Sequence, residues 1–283
     1  MTTFLIVAAA FALLMILVTA VDCNRFVIRE YTCISDKLGR EGKFILLSDL
    51  HNKSFGEKNI RLLRAIDEQK PDAVLIAGDM YTSSSSADNA GAAGFVSCLA
   101  GKYPVYYGMG NHEHKTRLYP EDFGSMYEDY MRRVEKAGTR LLINQRVSLP
   151  VYNIELFGLE IDQTYYQKLA KPSMEKSYLD KLLGKADPGR FNLLIAHNPD
   201  YFETYADWGA DLTVSGHVHG GLMRLPVFGG VISPRLRLFP RYDGGRFERD
   251  KKVMILGRGL GSHTLPIRIF NPGELVVIHL KKR

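Results

Sequence analysis

Short apolar runs bounded by turn residues recur along this chain, separated by amphipathic stretches. Such runs are typical of strands that are buried on both faces. The stretch over 57–69 instead places Ile60, Leu63 and Ile66 on one face of a helix. Strands are predicted over 25–34, 43–48, 73–77, 103–108, 191–196, 211–215, 253–256 and 275–280, with two or three more between 139 and 160. Helices are predicted over 57–69, 90–100, 122–137 and 174–184, with a short one after Pro199. This alternation predicts an α/β domain in which helices cover packed sheets.

The N-terminal region contains an uncharged apolar run over residues 4–21. As a helix this run would be about 27 Å long, just enough to span the hydrocarbon core of a membrane. A cleaved signal peptide would need a basic start, which residues 1–3 lack, although residues 18–20 resemble a cleavage site. A lipoprotein signal would need a small residue in the place of Asp22, before Cys23. A retained membrane helix is therefore the favoured interpretation.

The sequence favours a membrane anchor over residues 1–24 and one folded domain over residues 25–283. About 260 residues follow the anchor, which is enough for one α/β domain with a large core. Arg25, Arg29 and Lys37 follow the apolar run closely, and no basic side chain precedes it. Because basic residues prefer the cytoplasmic side, we expect a cell-membrane protein with its domain in the cytoplasm.

The composition is that of an ordinary globular protein, with 46% apolar and 24% charged residues. A formal charge of +6 and a pI of about 9.1 favour anionic partners, namely phosphorylated substrates or acidic lipids rather than nucleic acid. Cys23, Cys33 and Cys98 form no spaced pair typical of a zinc site or a disulfide. Cysteine usage therefore does not decide the compartment, and the oligomeric state stays open.

Seven potential metal ligands follow predicted strands in five short blocks. The blocks are Ser48-Asp49-Leu50-His51, Ala77-Gly78-Asp79, Gly110-Asn111-His112-Glu113, Ala196-His197-Asn198 and Ser215-Gly216-His217-Val218-His219. Because ligands bind at the carboxyl ends of strands in open α/β sheets, we expect these blocks to converge on one edge. Their carboxylate, imidazole and amide groups, without cysteine, suit hard or borderline divalent ions such as manganese, zinc or iron.

Asp79 is the natural bridge between two such ions, because ions about 3.5–4 Å apart need an anionic group between them. A pair of this kind lowers the pKa of a bound water and holds a phosphoryl oxygen. His217 and His219 alternate with Val218, so a strand here would direct both imidazoles to one face. The expected chemistry is hydrolysis of a phosphoric ester.

The order of the five blocks resembles the calcineurin-like metallophosphoesterases, from about residue 44 to the C-terminus. Segments 220–226, 238–242 and 257–261 look like the bacterial membrane-associated YaeI/YkuE-type branch of that superfamily. The resemblance implies a four-layer α/β/β/α sandwich, here preceded by one N-terminal transmembrane helix. It also implies a metal-dependent phosphoric ester hydrolase with two divalent ions, manganese first and zinc, iron or magnesium as alternatives.

The resemblance also implies roles for individual residues. One ion would be held by Asp49, His51, Asp79 and His219, and the second by Asp79, Asn111, His197 and His217. The catalytic residues would be His112, which faces the scissile phosphate as a proton donor or stabiliser of developing charge, and Asn111.

Thr82 departs from the family pattern, in which an Asp three residues after the bridging one often orients the catalytic histidine. A neutral hydroxyl cannot stabilise an imidazolium as a carboxylate does. Either Glu113 or Asp88 orients His112, or the role of His112 is mainly electrostatic. His114 has no evident partner in the sequence, and we do not expect it to act in the site. The polar run over 82–86 is either a mobile loop or a border of the substrate site.

The basic-apolar segment, residues 224–246, is the densest basic region of the chain. Its arginines are Arg224, Arg235, Arg237, Arg241 and Arg246. The segment is either a solvated hairpin or a surface that lies against anionic lipid.

Together these features predict a membrane-anchored, two-metal phosphoesterase that hydrolyses a phosphodiester, phosphomonoester or pyrophosphate bond, with a lipid or cell-envelope precursor as the expected substrate. A nucleotide or nucleic-acid phosphodiesterase is the alternative enzyme, although the sequence has no interleaved basic and aromatic platform for single strands. A catalytically silent metal-binding scaffold is the alternative outside enzymes, and the presence of every ligand in the pattern argues against it.

Overall fold

The computed structural model describes residues 1–167, 172–225, 229–232, 238–262 and 265–283. Its α-helices, in chain order, are α1 (Thr2–Asp22), α2 (Ile60–Gln69), α3 (Ala90–Ala100), α4 (Asn111–Leu118), α5 (Pro120–Phe123), α6 (Met126–Lys136), α7 (Lys176–Leu183) and α8 (Phe202–Trp208). Its strands are β1 (Phe26–Ser35), β2 (Gly42–Leu47), β3 (Ala73–Ala77), β4 (Val105–Gly108), β5 (Arg140–Leu142), β6 (Gln145–Leu149), β7 (Ile154–Leu159), β8 (Phe191–Ala196), β9 (Leu212–Ser215), β10 (Met223–Leu225), β11 (Gly229–Ile232), β12 (Gly245–Arg249), β13 (Lys252–Leu256) and β14 (Gly273–Lys282).

Two six-stranded sheets lie at the centre of the described structure, in the orders β1-β14-β2-β3-β4-β5 and β12-β13-β9-β8-β7-β6. β2 to β5 are mutually parallel, and so are β7, β8, β9 and β13. β14 runs antiparallel to β2, and β1 runs parallel to β14. We call the edge at which β2, β3, β4, β8 and β9 end the ligand edge. β1 and β14 run in the reverse direction, so both begin at that edge.

Alternation along the buried strands builds four layers. In β2, Phe44 and Leu46 face the second sheet and pack in one core with Leu193 of β8, whereas Ile45 and Leu47 face the other way, toward α2, α3 and α6. On the far side of the second sheet, Leu194 packs in a core with residues of α7 and α8. Because successive strand side chains point to opposite faces, one apolar run serves two cores. The predicted four-layer α/β/β/α sandwich is confirmed.

Most predicted elements of the α/β domain are present, and several match closely. The helix over 90–100 and the strand over 73–77 have the predicted bounds. The predicted helix over 122–137 is divided into α5 and α6, since Gly124 between them has a φ of 58°. Ile60 was expected on the buried face of α2, but it is 49% exposed.

Among these α-helices and strands, α4 and β12 were not predicted, whereas the hairpin of β10 and β11 agrees with one of the two interpretations of residues 224–246. α4 has no apolar periodicity, because its sequence is Asn-His-Glu-His-Lys-Thr-Arg-Leu. The strand predicted over 211–215 is β9, so the alternation of His217 and His219 is not that of a strand. β9 ends at Ser215, and both histidines lie in the turn that follows, with φ of 77° and 53°.

α1 is 21 residues long and reaches a mean hydropathy of 2.9, with none of its most apolar window buried. Length and composition therefore allow it to cross a membrane, although a signal sequence near an N-terminus meets the same criteria. Asp22, at the end of α1, is 2% exposed and belongs to the packed domain. The boundary at residue 24 remains a prediction.

Candidate metal centre

The five sequence blocks converge at the ligand edge. The Asp49 and His51 block follows β2, the Asp79 block follows β3, and the start of α4 follows β4. The other two blocks follow β8 and β9 of the opposite sheet. Contacts between the sheets close the site, since His197 after β8 lies 3.0 Å from Asp79 after β3 (Nε2 to Oδ2). Residues far apart in sequence therefore share one pocket.

Five of the seven candidate ligands have a left-handed backbone. Their φ angles are 51° at Asp49, 47° at His51, 55° at Asp79, 77° at His217 and 53° at His219. This conformation is uncommon for residues other than glycine, and it concentrates at functional sites, where surrounding contacts hold it. Here the turns bend the chain back, so that side chains from several strands point to one place.

One group of ligand atoms comprises Asp49, His51 and His219, whose atoms lie within 4.8 Å of one another. The Nε2 atoms of His51 and His219 are 3.2 Å apart, and Nε2 of His219 is 3.4 Å from Oδ1 of Asp49. The Asp49 carboxylate also accepts the backbone N–H of His217 at 3.0 Å. These are the predicted ligands of the first ion, apart from Asp79.

A second group comprises Asp79, His197 and His217 within the same limit, and a third joins Asp79 to His51 and His112. Asp79 therefore belongs to both halves of the cluster, as a bridging ligand would. Burial opposes ionisation of Asp79, but the imidazoles of His197, His112 and His51 together outweigh it and hold the pKa of Asp79 well below its usual range.

Two of the imidazoles are oriented by backbone carbonyls. Nδ1 of His197 lies 2.5 Å from the carbonyl oxygen of Ala77, and Nδ1 of His219 lies 3.1 Å from that of Gly261. An N–H donated to a carbonyl leaves Nε2 with its lone pair toward the cluster. Metal-bound histidines almost always make a hydrogen bond of this kind through the other ring nitrogen.

The residues present fit divalent cations. Burial alone would lower the pKa of His197, but the carboxylates of Asp79 and Asp49 reverse the effect and raise it to about 9. The pocket thus stabilises positive charge strongly. Oδ1 of Asn111 is buried and has no hydrogen-bond partner among the described residues. A buried oxygen without a hydrogen-bond partner is what a metal ligand from the second set requires.

His112 is oriented by Ser83, not by Glu113 or Asp88. Its Nδ1 accepts the backbone N–H of Ser83 at 2.8 Å and lies 2.8 Å from the Ser83 hydroxyl. Asp88 instead accepts the N–H of Ala90, so both predicted candidates were wrong. A ring nitrogen that accepts an amide N–H carries no proton, so the tautomer assigned to His112 has its proton on Nε2. The polar run over 82–86 therefore borders the site.

Glu113 braces the two blocks that supply Asp79 and Asn111. Its fully buried carboxylate accepts the N–H groups of Asp79 (2.8 Å), Met80 (2.9 Å) and Gly110 (3.1 Å), together with the Tyr107 hydroxyl (2.7 Å). Burial and the nearby Asp79 charge raise the pKa of Glu113 to about 7. Glu113 therefore acts on the shape of the site rather than at the cluster.

His114 has a partner after all. Its Nδ1 lies 2.8 Å from Glu160, which is also bound by Arg117 at 2.6 Å. This buried network joins α4 to the end of β7. The expectation that His114 lacks a partner was wrong, because a partner 46 residues away leaves no local signal.

Tyr166 was not singled out by the sequence. Its ring lies 5.3 Å from that of His217 and 6.3 Å from that of His197, so it covers the second group of ligands. In the basic-apolar segment, Arg224 pairs with Asp243 and Arg241 with Glu203. Arg235 and Arg237 lie outside the described residues.

Comparison with known proteins agrees with this geometry. Residues 42–221 match the family described as calcineurin-like phosphoesterase. Phosphodiesterase YaeI of Escherichia coli is 28% identical over 230 residues, which cover 78% of this chain and 75% of YaeI. This similarity confirms the predicted branch.

Two further relatives match most of this chain, but the match covers different shares of their own lengths. An uncharacterized metallophosphoesterase of Campylobacter jejuni is 26% identical over 257 residues, which cover 86% of this chain and 60% of that protein. This chain thus spans about three fifths of the length of that relative. UDP-2,3-diacylglucosamine pyrophosphatase LpxG of Chlamydia muridarum is 22% identical over 272 residues, which cover 83% of this chain and 82% of LpxG.

Proposed function

Since this chain belongs to the calcineurin-like phosphoesterases, a family of metal-dependent phosphoric ester hydrolases, we propose that it is membrane-anchored and hydrolyses a phosphodiester or pyrophosphate bond of an amphiphilic substrate. The observation that carries the proposal is the sharing of Asp79 between two groups of ligand atoms. A carboxylate in that position is the feature that a two-ion site requires.

In this proposal Asp49, His51, Asp79 and His219 bind one ion. Asp79, Asn111, His197 and His217 bind the other. Manganese suits a set of carboxylate, imidazole and amide ligands without thiolate. When bound, the two ions supply an activated water and neutralise negative charge on the phosphoryl group.

His112 and Asn111 are the proposed catalytic residues. Because Nδ1 of His112 accepts the Ser83 N–H, its Nε2–H is available as a hydrogen-bond donor to a phosphoryl or leaving-group oxygen. A neutral imidazole that donates this N–H stabilises the growing negative charge without giving up its proton. The side-chain amide of Asn111, at the N-terminus of α4, adds a second group that orients the phosphoryl oxygens.

The proposed substrate class rests on α1 and on two relatives. α1 is long and apolar enough to hold the domain at a bilayer. One relative is named a phosphodiesterase and another a pyrophosphatase of UDP-2,3-diacylglucosamine, an acylated sugar nucleotide. A substrate with acyl chains and a phosphoric ester or anhydride bond agrees with all three facts.

The test uses the purified full-length chain with manganese and a substrate panel. The panel contains a soluble aryl phosphodiester, soluble nucleotides, a phospholipid diester and a lipid-linked pyrophosphate, each with Asp79→Asn as the inactive control. We expect the highest kcat/KM on a lipid-linked diester or pyrophosphate. Far better turnover of a soluble nucleotide, with no lipid hydrolysed, would replace this proposal with a nucleotide phosphodiesterase.

A further inference from the structure

We propose that the ligand edge of the domain lies directly against the bilayer, with exposed apolar side chains of residues 238–239 and 265–270 inserted among the lipid head groups. The inference rests on the proposed anchoring by α1 and specifies how the site would reach a lipid. The proposed partner of this surface is the lipid bilayer itself, rather than a second protein.

Strand direction places the anchor at the same edge as the metal centre. β2 ends at the ligand edge, and β14 is antiparallel to β2. β1 is parallel to β14, so β1 also begins at the ligand edge. α1 ends four residues before β1 begins, at Asp22 and Phe26 respectively. The membrane helix therefore enters the domain beside the ligands, whereas the C-terminal Lys281 to Arg283 lie at the opposite edge.

The junction between α1 and β1 is held by loops of the ligand edge. Oδ2 of Asp22 accepts the backbone N–H of Asn271 at 2.9 Å, and its Oδ1 pairs with Arg25 at 2.7 Å. Lys53, two residues after His51, donates to Asn24 at 2.6 Å. A junction tied to two separate loops restrains the direction in which α1 leaves the domain.

The same loop is tied to the ligand histidines. The side-chain amide of Asn271 donates to the carbonyl oxygens of His219 and Gly221, both at 2.7 Å. Arg268 is 2% exposed and donates to the carbonyls of Arg258, Gly261 and Asn271, so it is a buried hub of this loop. The loop that contacts α1 is therefore also hydrogen-bonded to the turn that carries His219.

This loop and its neighbour expose large apolar side chains. The exposed fractions are 46% at Leu265, 37% at Ile267 and 51% at Phe270, with 67% at Leu238 and 60% at Phe239. Both phenylalanines have a left-handed backbone, with φ of 53° at Phe270 and 47° at Phe239. Such a backbone is costly for a bulky side chain. A large apolar side chain that is exposed on a strained backbone points to burial in an apolar environment. The free energy gained by that burial would offset the cost of the strain.

The two segments belong to one small ladder. Ile269 pairs with Met223 of β10, β10 pairs with β11, and Ile232 of β11 pairs with Leu238. The two exposed apolar segments therefore flank the hairpin of β10 and β11, which follows the turn of His219, and the segment over 265–270 leads to the Asn271 contact with the end of α1. Interfacial proteins bury such residues about 5–10 Å into the head-group region. Basic side chains occur at both edges of the domain, so the apolar residues, rather than charge, define the membrane-facing side.

The first experiment measures depth in the membrane with tryptophan fluorescence of the full-length protein in liposomes. Phe270→Trp and Phe239→Trp place a probe in the proposed surface, and Val151→Trp is the matched control. Val151 is 61% exposed, but it lies between β6 and β7 at the opposite edge. The native Trp208 is 3% exposed and adds the same background to every variant.

Lipids brominated in their acyl chains quench only tryptophans that enter the bilayer. We expect a clear loss of emission for Phe270→Trp and Phe239→Trp, and none beyond background for Val151→Trp. Equal quenching of all three variants would overturn the proposal, since it would mean that the domain, attached through α1, turns no preferred face toward the bilayer. A surface built for a protein partner would also leave the Phe270 and Phe239 probes unquenched in pure lipid.

The second experiment measures turnover with Phe270→Ser, Leu265→Ser and the control Val151→Ser in the same liposomes. Because α1 keeps the protein at the bilayer, removal of one large apolar group from the interface lowers the equilibrium constant for docking of the domain, about tenfold, rather than the amount of bound protein. We expect about a tenfold loss of kcat/KM on a bilayer substrate for the first two variants, with turnover of a soluble diester unchanged. Equal loss on both substrates would overturn the docking proposal.

The two proposals can fail separately. Quenching at Phe270, together with turnover of nucleotides alone, would retain the docking surface and reject the lipid substrate. Hydrolysis of a lipid substrate without quenching would retain the function and reject the docking surface.

Discussion

Asp79 is the residue at which the two halves of the candidate metal centre meet. It lies 3.0 Å from His197 and 3.9 Å from His51, measured from its Oδ2 to each Nε2. If it bridges two ions, Asp79→Ala should abolish turnover and lower the content of both ions together. His51→Ala should mainly empty one site, because that imidazole belongs to one half. Metal analysis of the purified variants checks this, and a full pair of ions in Asp79→Ala would refute the bridge.

In the proposed function, His112 and Ser83 together determine how the leaving group is assisted. With Nδ1 accepting the Ser83 N–H, His112 would act as a neutral donor through Nε2. We expect His112→Ala to lower kcat about 10²–10³-fold with both ions retained, as for the loss of one charge-stabilising donor.

The loss should be similar for esters with good and poor leaving groups, because no proton is transferred. Ser83→Ala is the companion variant, and it keeps the backbone N–H and should cost less. A loss in His112→Ala confined to poor leaving groups would instead establish His112 as a general acid.

At the scale of elements, α4 depends on side-chain contacts rather than on its own periodicity. Glu113 satisfies N–H groups from both the Asp79 turn and the start of α4. His114 ties the same helix to Glu160 beyond β7. A short helix with no apolar face is thus held in place by two buried carboxylates, that of its own Glu113 and that of Glu160.

Glu113→Gln tests the brace. An amide has one acceptor oxygen, so its NH₂ group would face N–H groups that now donate to the carboxylate. We expect about 1–3 kcal/mol lower free energy of unfolding and about 10–100-fold weaker metal binding. Thermal denaturation and metal titration measure the two effects, with the exposed Glu121→Gln as control. A Glu113→Gln protein that matches Glu121→Gln in both would contradict this role.

At the scale of the whole molecule, the position of the anchor determines which N-terminal residues a truncation can remove without disturbing the domain. Deletion of residues 1–24 would remove Asp22, which accepts the N–H of Asn271 in the loop beside His219. Deletion of residues 1–21 keeps this contact. Both proteins should leave the membrane fraction and lose rate on lipid in bilayers, because tethering raises the effective concentration at the surface.

The protein that lacks residues 1–21 should retain full activity on a soluble diester. It should also be more thermally stable than the protein that lacks residues 1–24. Membrane fractionation, kinetics and denaturation check these outcomes, and mass analysis of the isolated full-length chain shows whether α1 is retained. Equal stability of both truncated proteins would show that the Asp22 contact does not hold the loop.

The sequence alone determined the buried strands, the order of the ligand blocks and the type of ion they suit. Each of these is a local property. A buried strand needs an apolar run, a ligand needs its own functional group, and the end of a strand is marked by the turn residues after it. The helix over 90–100 and the strand after residue 72 were readable for that reason.

Only the tertiary structure decided what orients these groups and which way the site faces. Ser83 holds His112, and Glu160 holds His114, through contacts that span 29 and 46 residues. The turn of His217 and His219 owes its left-handed backbone to contacts with Asp49 and Asn271 rather than to strand periodicity. The entry of α1 at the ligand edge follows from the reversed direction of β1 and β14. Hydrogen-bond geometry and strand direction arise between distant segments, so no local pattern encodes them.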